Sequence, residues 1–186
     1  MNKIIVTGGA GYIGSHTCKL LRQKGYDPIT IDNLSTGHSS FVKWGELIKL
    51  DIKETDKLME ILKKINPIAI IHFAASSYVG ESMVNPTKYY HNNVAGTISL
   101  LEAMQSNGLQ NIVFSSSCAI YGIPSSDKIE EDSIQNPISP YGNSKLIIEK
   151  ILIDLSKLKK MNFYSLRYFN AAGADDDLEI GELHDP

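Results

Sequence analysis

The chain has 186 residues, 42% of them hydrophobic, enough to bury one sizeable core and too many for a tail or a short peptide. Its 18 Lys and Arg residues against 21 Asp and Glu leave no basic surplus to neutralise a phosphate backbone, so nucleic-acid binding is disfavoured. Cys18 and Cys118 make no CxxC pair, and the five histidines show no HxxxH spacing; this argues against a disulfide framework and a metal site and fits a reducing cytoplasm.

No basic stretch followed by a long apolar run opens the chain, so no leader is expected. The longest apolar stretch, near residues 68–75, is interrupted by His72 and too short to span a bilayer. Lys3–Thr7 reads as a strand buried on both faces. Residues 13–24 read as a helix ended by Gly25, and 28–32 as a second strand. A third strand is predicted over 47–50 and a helix over Thr55–Ile65, stopped by Asn66-Pro67 because a residue before proline avoids the helical region. Residues 68–73 give a fourth strand, 86–107 one long helix with Pro86 near its start and Gly108 past its end, and 111–116 a fifth strand. Ser139 is placed as an N-cap with Pro140 after it, opening a helix to about Lys160. Ile148, Ile151, Leu152 and Leu155 line one face of that helix. Asn162–Tyr168 is a sixth strand, and 174–186 reads as a loop without core pattern.

Strands that alternate with helices of this length call for a parallel sheet with right-handed crossovers. Apolar strands fit a sheet covered on both faces. The expected architecture is α/β, a doubly wound parallel sheet of Rossmann type over residues 1–173, with residues 174–186 starting a truncated substrate-domain loop.

Gly8, Gly11 and Gly14 follow the first strand directly and open the first helix. In that context the first glycine permits a tight turn and the second lets backbone approach a pyrophosphate. The third lets helix pack close on strand, while the helix N-terminus offers N–H groups and a positive dipole end. Asp32 ends the second strand, where a carboxylate can accept from both ribose hydroxyls and would repel a 2′-phosphate. No arginine follows nearby, which favours NAD over NADP. Tyr141 and Lys145 form YxxxK on one face of a helix. A phenol near its usual value of about 10 is too weakly acidic to act as a base at neutral pH. A nearby ammonium and a bound nicotinamide are expected to lower that value and make Tyr141 a general acid/base. Ser115, Ser116 and Ser117 stand at the C-terminal end of strand five, where open α/β sheets bind ligands.

The segments TGGAGYIG, DNLSTG, LDI, HFAA, VGESMVNPTKYYHNNVAGT, FSSSCAIYG, SPYGNSK and LRYFNAAGA together resemble the extended short-chain dehydrogenase/reductases. Their combination with VGES and YYHNNV resembles the UDP-glucose 4-epimerases of that family, over essentially the whole chain. The resemblance implies NAD as cofactor, UDP-glucose and UDP-galactose as substrates, oxidation and reduction at sugar C4, and a homodimer built on the helices near 86–107 and 140–160. It implies that Tyr12 and Ile13 cap the pyrophosphate. Asp32, Asn33, Leu34, Ser35, Thr36 and Gly37 would surround the adenosine ribose, and Asp51 and Ile52 the adenine. Phe73, Ala74, Ala75 and Ser77 would line the cofactor, with Asn93 near its pyrophosphate or the substrate. Ser117, Tyr141 and Lys145 would form the catalytic trio, in reach of cofactor and substrate. Phe169 would touch the nicotinamide and Asn170 the substrate diphosphate. Many members carry a lysine where this chain has Ser77. The family runs well beyond this length, so a C-terminal substrate domain is expected to be missing, with weak cofactor binding and little turnover by the chain alone.

Two other readings stand beside this one. A nucleotide-sugar 4,6-dehydratase needs an acid/base pair after the strand-five serine, where Cys118 and Ala119 stand. A non-catalytic NAD-binding remnant is favoured by the length and disfavoured by the intact Ser117, Tyr141 and Lys145.

Overall fold

The computed structural model describes residues 1–124, 128–159 and 161–183. Lys160, the expected helix end, and residues 184–186 of the expected final loop lie outside them. Six strands form one parallel sheet: β1 Lys3–Thr7, β2 Asp27–Asp32, β3 Glu46–Lys49, β4 Ala69–His72, β5 Asn111–Ser117 and β6 Asn162–Tyr168. Their spatial order is β3-β2-β1-β4-β5-β6. The order reverses between β1 and β4, which opens a crevice at their C-terminal ends.

β1 shows why the sheet is covered twice. Ile5 packs into a large core with helices α2 (Thr55–Ile65), α5 (Gly96–Ser106) and α6 (Pro140–Lys159), through Leu58, Leu62, Leu101, Met104, Ile148 and Leu152. Its neighbours Ile4 and Val6 point the other way, to Cys18 on α1 (Tyr12–Gln23). The doubly wound α/β expectation therefore holds.

Local signals act as expected at several ends. Ser139 Oγ accepts from Gly142 N at 3.1 Å and opens α6 ahead of Pro140. Asn66 takes a left-handed φ of 51° and ends α2 one residue before Pro67. Two features differ from the sequence expectation. A short helix, α3 (Val79–Val84), lies in the loop after β4. The single helix expected over 86–107 is three joined segments: α4 (Pro86–Tyr89), a π-helical turn (Tyr90–Ala95) and α5. The wider turn adds a residue without breaking the helical rod, and such turns cluster at functional sites.

Residues 174–183 form the expected loop, but a fastened one. Ile180 is buried, and Asp175 N donates to Ile180 O at 3.1 Å. Among the described residues, no helix is long and apolar enough to cross a membrane.

Candidate active site

The glycine turn sits at the sheet's switch point. Gly8 has a φ of 73°, and a Cβ there would lie 2.6 Å from Ala74 N, so the loops after β1 and β4 touch only because Gly8 has no side chain. A Cβ on Gly14 would lie 2.2 Å from Gly8 O, which ties helix α1 against the turn. Gly11 is the N-cap of α1 and has no side-chain cap, and no acidic residue sits in the first turn. The positive end of that helix is thus left for an anion from outside.

Asp32 closes β2 beside this turn. Its carboxylate accepts from Ala10 N at 3.1 Å and Leu34 N at 2.8 Å, so one buried side chain joins the turn to the next loop. Leu34 pays for that tie with a left-handed φ of 60°. Asn33 Nδ2 donates to Asp51 at 3.1 Å, linking β2 to the loop after β3. Burial pushes the Asp51 carboxyl up, but hydrogen bonds from Lys53 N and Asn33 and the Lys53 charge outweigh it and hold the group below its ordinary value.

Ser117, Tyr141 and Lys145 meet on the opposite wall. Ser117 ends β5 and its Oγ accepts from Ala119 N at 3.1 Å. Lys145, almost fully buried, donates from Nζ to Ser115 O at 2.7 Å. Its ammonium lies 5.0 Å from the Phe114 ring centre and 5.8 Å from that of Tyr141. Burial lowers the Lys145 value to about 7. It also raises Tyr141 above its ordinary value, against the lowering hydrogen bond from Ser117. Desolvation of the phenol outweighs the Ser117 hydrogen bond here, and the expected lowering rests on the Lys145 charge acting together with a bound nicotinamide.

Lys145 also makes stability depend on pH. Unfolded, the amine holds its proton up to about its ordinary 10.5; folded, it loses it at about 7. Between these values the unfolded chain binds more protons, so this group makes stability rise with pH across that window. The expected result in NMR of chain labelled with 13C at lysine Cε is one resonance titrating near pH 7. It should vanish in Lys145→Met; all lysines titrating above pH 9 would refute the assignment.

A second buried chain of polar groups runs behind the wall. His72 bonds Thr7 Oγ1 at 2.6 Å and Thr97 Oγ1 at 2.9 Å, and burial and the Lys145 charge lower its value to about 3, so it stays neutral. Thr97 donates to Asn93 O at 2.6 Å, and Asn93 Nδ2 reaches Ser144 Oγ at 3.1 Å and Ser76 O at 3.0 Å.

One continuous cleft of about 1120 Å³ joins these parts. That exceeds the usual range of roughly 300–1,000 Å³ for small-molecule sites and suits an extended ligand. Gly8, Gly11, Tyr12, Ile13 and Gly14 line it, as do Asp32, Asn33, Ser35, Thr36, Gly37, Asp51 and Ile52. So do Phe73, Ala74, Ala75, Ser77, Ser117, Tyr141, Lys145, Phe169 and Asn170. Two expected residues stand off it. Leu34 serves the backbone turn, and Asn93 is fully buried with its amide spent on Ser76 and Ser144. The sequence reading missed Lys53, Lys88, His91, Cys118 and Tyr168, and also Glu182 and Leu183 from the final loop, all on the wall. Of these, Lys88 and His91 stand three residues apart, a spacing that a continuous α-helix would put on one face.

The chain matches the model of the NAD dependent epimerase/dehydratase family over residues 4–182. It is 52% identical to a UDP-glucose 4-epimerase of Rhizobium meliloti (strain 1021), covering 100% of this chain and 56% of that protein. Among solved structures, it is similar to the UDP-glucose 4-epimerase from Brucella ovis in complex with NAD, at a TM-score of 0.97 and 54% identity, over 99% of this chain and 57% of that one. A UDP-glucose 4-epimerase from Bifidobacterium longum in complex with NAD+ and UDP aligns at a TM-score of 0.93 and 34% identity, over 97% of this chain and 57% of that one. The chain therefore spans a little over half the length of these relatives, 56% and 57%. On the match of the family model across nearly its full length, the chain belongs to the NAD dependent epimerase/dehydratase family.

Proposed function

We propose that this chain forms the dinucleotide-binding and proton-transferring part of a UDP-glucose 4-epimerase, with NAD as cofactor and UDP-glucose and UDP-galactose as substrates. The observation that carries it is one cleft that runs from the Gly8 turn and Asp32 to Ser117, Tyr141 and Lys145. The residues present fit such a cofactor. A glycine cradle and an uncapped helix end meet the needs of a pyrophosphate. Asp32 accepts one N–H on each oxygen, and a carboxylate offers about four lone-pair sites, so acceptors remain for two ribose hydroxyls.

When bound, the nicotinamide supplies reversible hydride acceptance at sugar C4 and a positive ring beside the phenol. Tyr141 takes the proton of the 4′-hydroxyl and returns it to the same oxygen after the sugar presents its other face. Ser117 holds that oxygen by hydrogen bonding, and Lys145 supports the phenolate with its charge. Phe169 and Asn170, both exposed at the rim, contact the nicotinamide and the substrate diphosphate in this reading. A homodimer through α5 and α6 belongs to the same proposal, supported by Ile98, Ile147 and Ile153, which stay partly exposed on those helices. So does a cytoplasmic location, which the free thiols of Cys18 and Cys118 fit.

Calorimetric titration of the chain with NAD and NADP, repeated with Asp32→Ala, tests the reading. NAD is expected to bind better than NADP. The variant should lose roughly tenfold in NAD affinity, about the worth of one hydrogen bond to a charged group. Equal binding of both dinucleotides, or an unaffected variant, would remove Asp32 from its role.

A further inference from the structure

The final loop returns to the cleft instead of leaving it: residues 169–171 line it at one end and Glu182 and Leu183 at the other. Tyr12 OH donates to Gly173 O at one end, and His38 Nε2 lies 3.2 Å from Leu183 O at the other. Leu183 lines the cleft there together with Ser35, Thr36 and Phe41, at the end assigned to the adenosine ribose. Between these ends the loop runs over the outer face of α1. Lys19 Nζ donates there to Asp175 at 2.9 and 2.7 Å, to Asp177 at 2.6 Å and to Glu179 at 3.1 Å. It also lies 5.4 Å from the Trp44 ring centre, and Lys43 Nζ donates to Glu179 O at 2.9 Å.

The three carboxylates converge closely enough to hold a metal ion, their ligand atoms lying within 4.8 Å of one another. The chain's own ammonium fills that place. Without it, three like charges would repel. Apolar burial contributes little to holding the loop: Ile180 is buried, but Leu178 is 84% and Leu183 55% exposed. A segment with so little buried apolar surface opens easily unless charge or hydrogen bonding fastens it.

We propose that Lys19 is a positioning residue whose ammonium gathers Asp175, Asp177 and Glu179 and so fastens residues 173–183 as a clasp over the adenosine end of the cleft, slowing release of a bound dinucleotide. This rests on the dinucleotide reading of the cleft. The clasp itself is built from the chain's own side chains, so the two can fail separately.

The test uses the whole chain, as wild type, Lys19→Met, Lys19→Arg and Asp177→Asn, the last an exposed carboxylate whose loss leaves the core untouched. Hydrogen exchange is measured on residues 175–180 without ligand, and the rate of NAD release after rapid dilution. Lys19→Met is expected to speed both by roughly tenfold, the scale of a lost, partly buried charge interaction. Asp177→Asn should shift both in the same direction by less, and Lys19→Arg should stay near wild type. Unchanged exchange in Lys19→Met would overturn the fastening. Faster exchange with unchanged release would overturn its role in retention. A wild-type chain that binds no NAD would refute the reading of the cleft and the retention role with it, whereas the exchange result would still decide the clasp.

Discussion

Gly14→Ala is expected to destabilise the chain by about 3 kcal/mol, at the upper end of what an overpacked site costs, and to abolish measurable dinucleotide binding. The added Cβ would lie 2.2 Å from Gly8 O and 2.8 Å from Gly9 Cα. Both are backbone atoms that no rotamer change can move aside. Helix α1 would have to lift from the turn, carrying with it the Gly11 N-cap and the first-turn N–H groups aimed into the cleft. A displacement of about 1 Å in a positioned group can cost on the order of 100-fold. Gly11→Ala makes the informative contrast. Its Cβ meets only Gly8 O, at 3.3 Å, so folding should be nearly unchanged while the methyl intrudes where a pyrophosphate would approach. Gly80→Ala, with nothing within 4 Å and a place in α3, serves as the neutral control. Urea denaturation followed by Trp44 fluorescence and titration with NAD read both quantities. Gly14→Ala within 1 kcal/mol of wild type, by the usual scale of surface changes, would show that the turn relaxes at little cost.

The parts of the site that were legible in the sequence are those whose signal is local. The Gly8, Gly11 and Gly14 spacing, the Ser139-Pro140 helix start and the shared face of Tyr141 and Lys145 each lie within a few residues, and each appears where expected. What escaped depends on partners from elsewhere in the chain. Lys19 carries no local sequence signal, because the carboxylate that holds it is 156 residues away. The direction of the Tyr141 shift turns on burial, which YxxxK does not encode. The π-helical turn at Tyr90–Ala95 escapes a search for 3.6-residue periodicity, since one extra residue shifts the phase without changing composition. That same turn draws Asn93 inward to Ser76 and Ser144, which is why a residue expected at the cofactor holds together the wall behind it.

The largest effect on stability is expected away from the cleft, at Arg167→Met. Glu149 on α6 is the buried centre of a network that joins β5, α6 and β6. It accepts from Arg167 Nε at 3.1 Å and from another guanidinium nitrogen at 2.8 Å, and it is hydrogen-bonded to Ser116 Oγ. The same guanidinium donates to Tyr121 OH at 2.6 Å and Glu131 O at 2.6 Å, and lies 5.2 Å from the Tyr121 ring centre. Glu149 is only 4% exposed as a side chain, against 20% for Arg167. Removing the guanidinium leaves a buried carboxylate with one neutral partner, a situation that costs about 3–5 kcal/mol. Replacing both, as Arg167→Met with Glu149→Leu, removes the stranded charge, so the double variant should recover much of the loss. Such recovery in urea denaturation would assign the cost to desolvation of Glu149. A double variant as unstable as the sum of the singles would assign it to lost packing around β6. Ser116 precedes Ser117, and Glu149 lies one helical turn beyond Lys145. A collapse of this network should therefore also displace the proton-transferring wall, and Arg167→Met is expected to shift the pH at which the Lys145 resonance titrates while the double variant restores it.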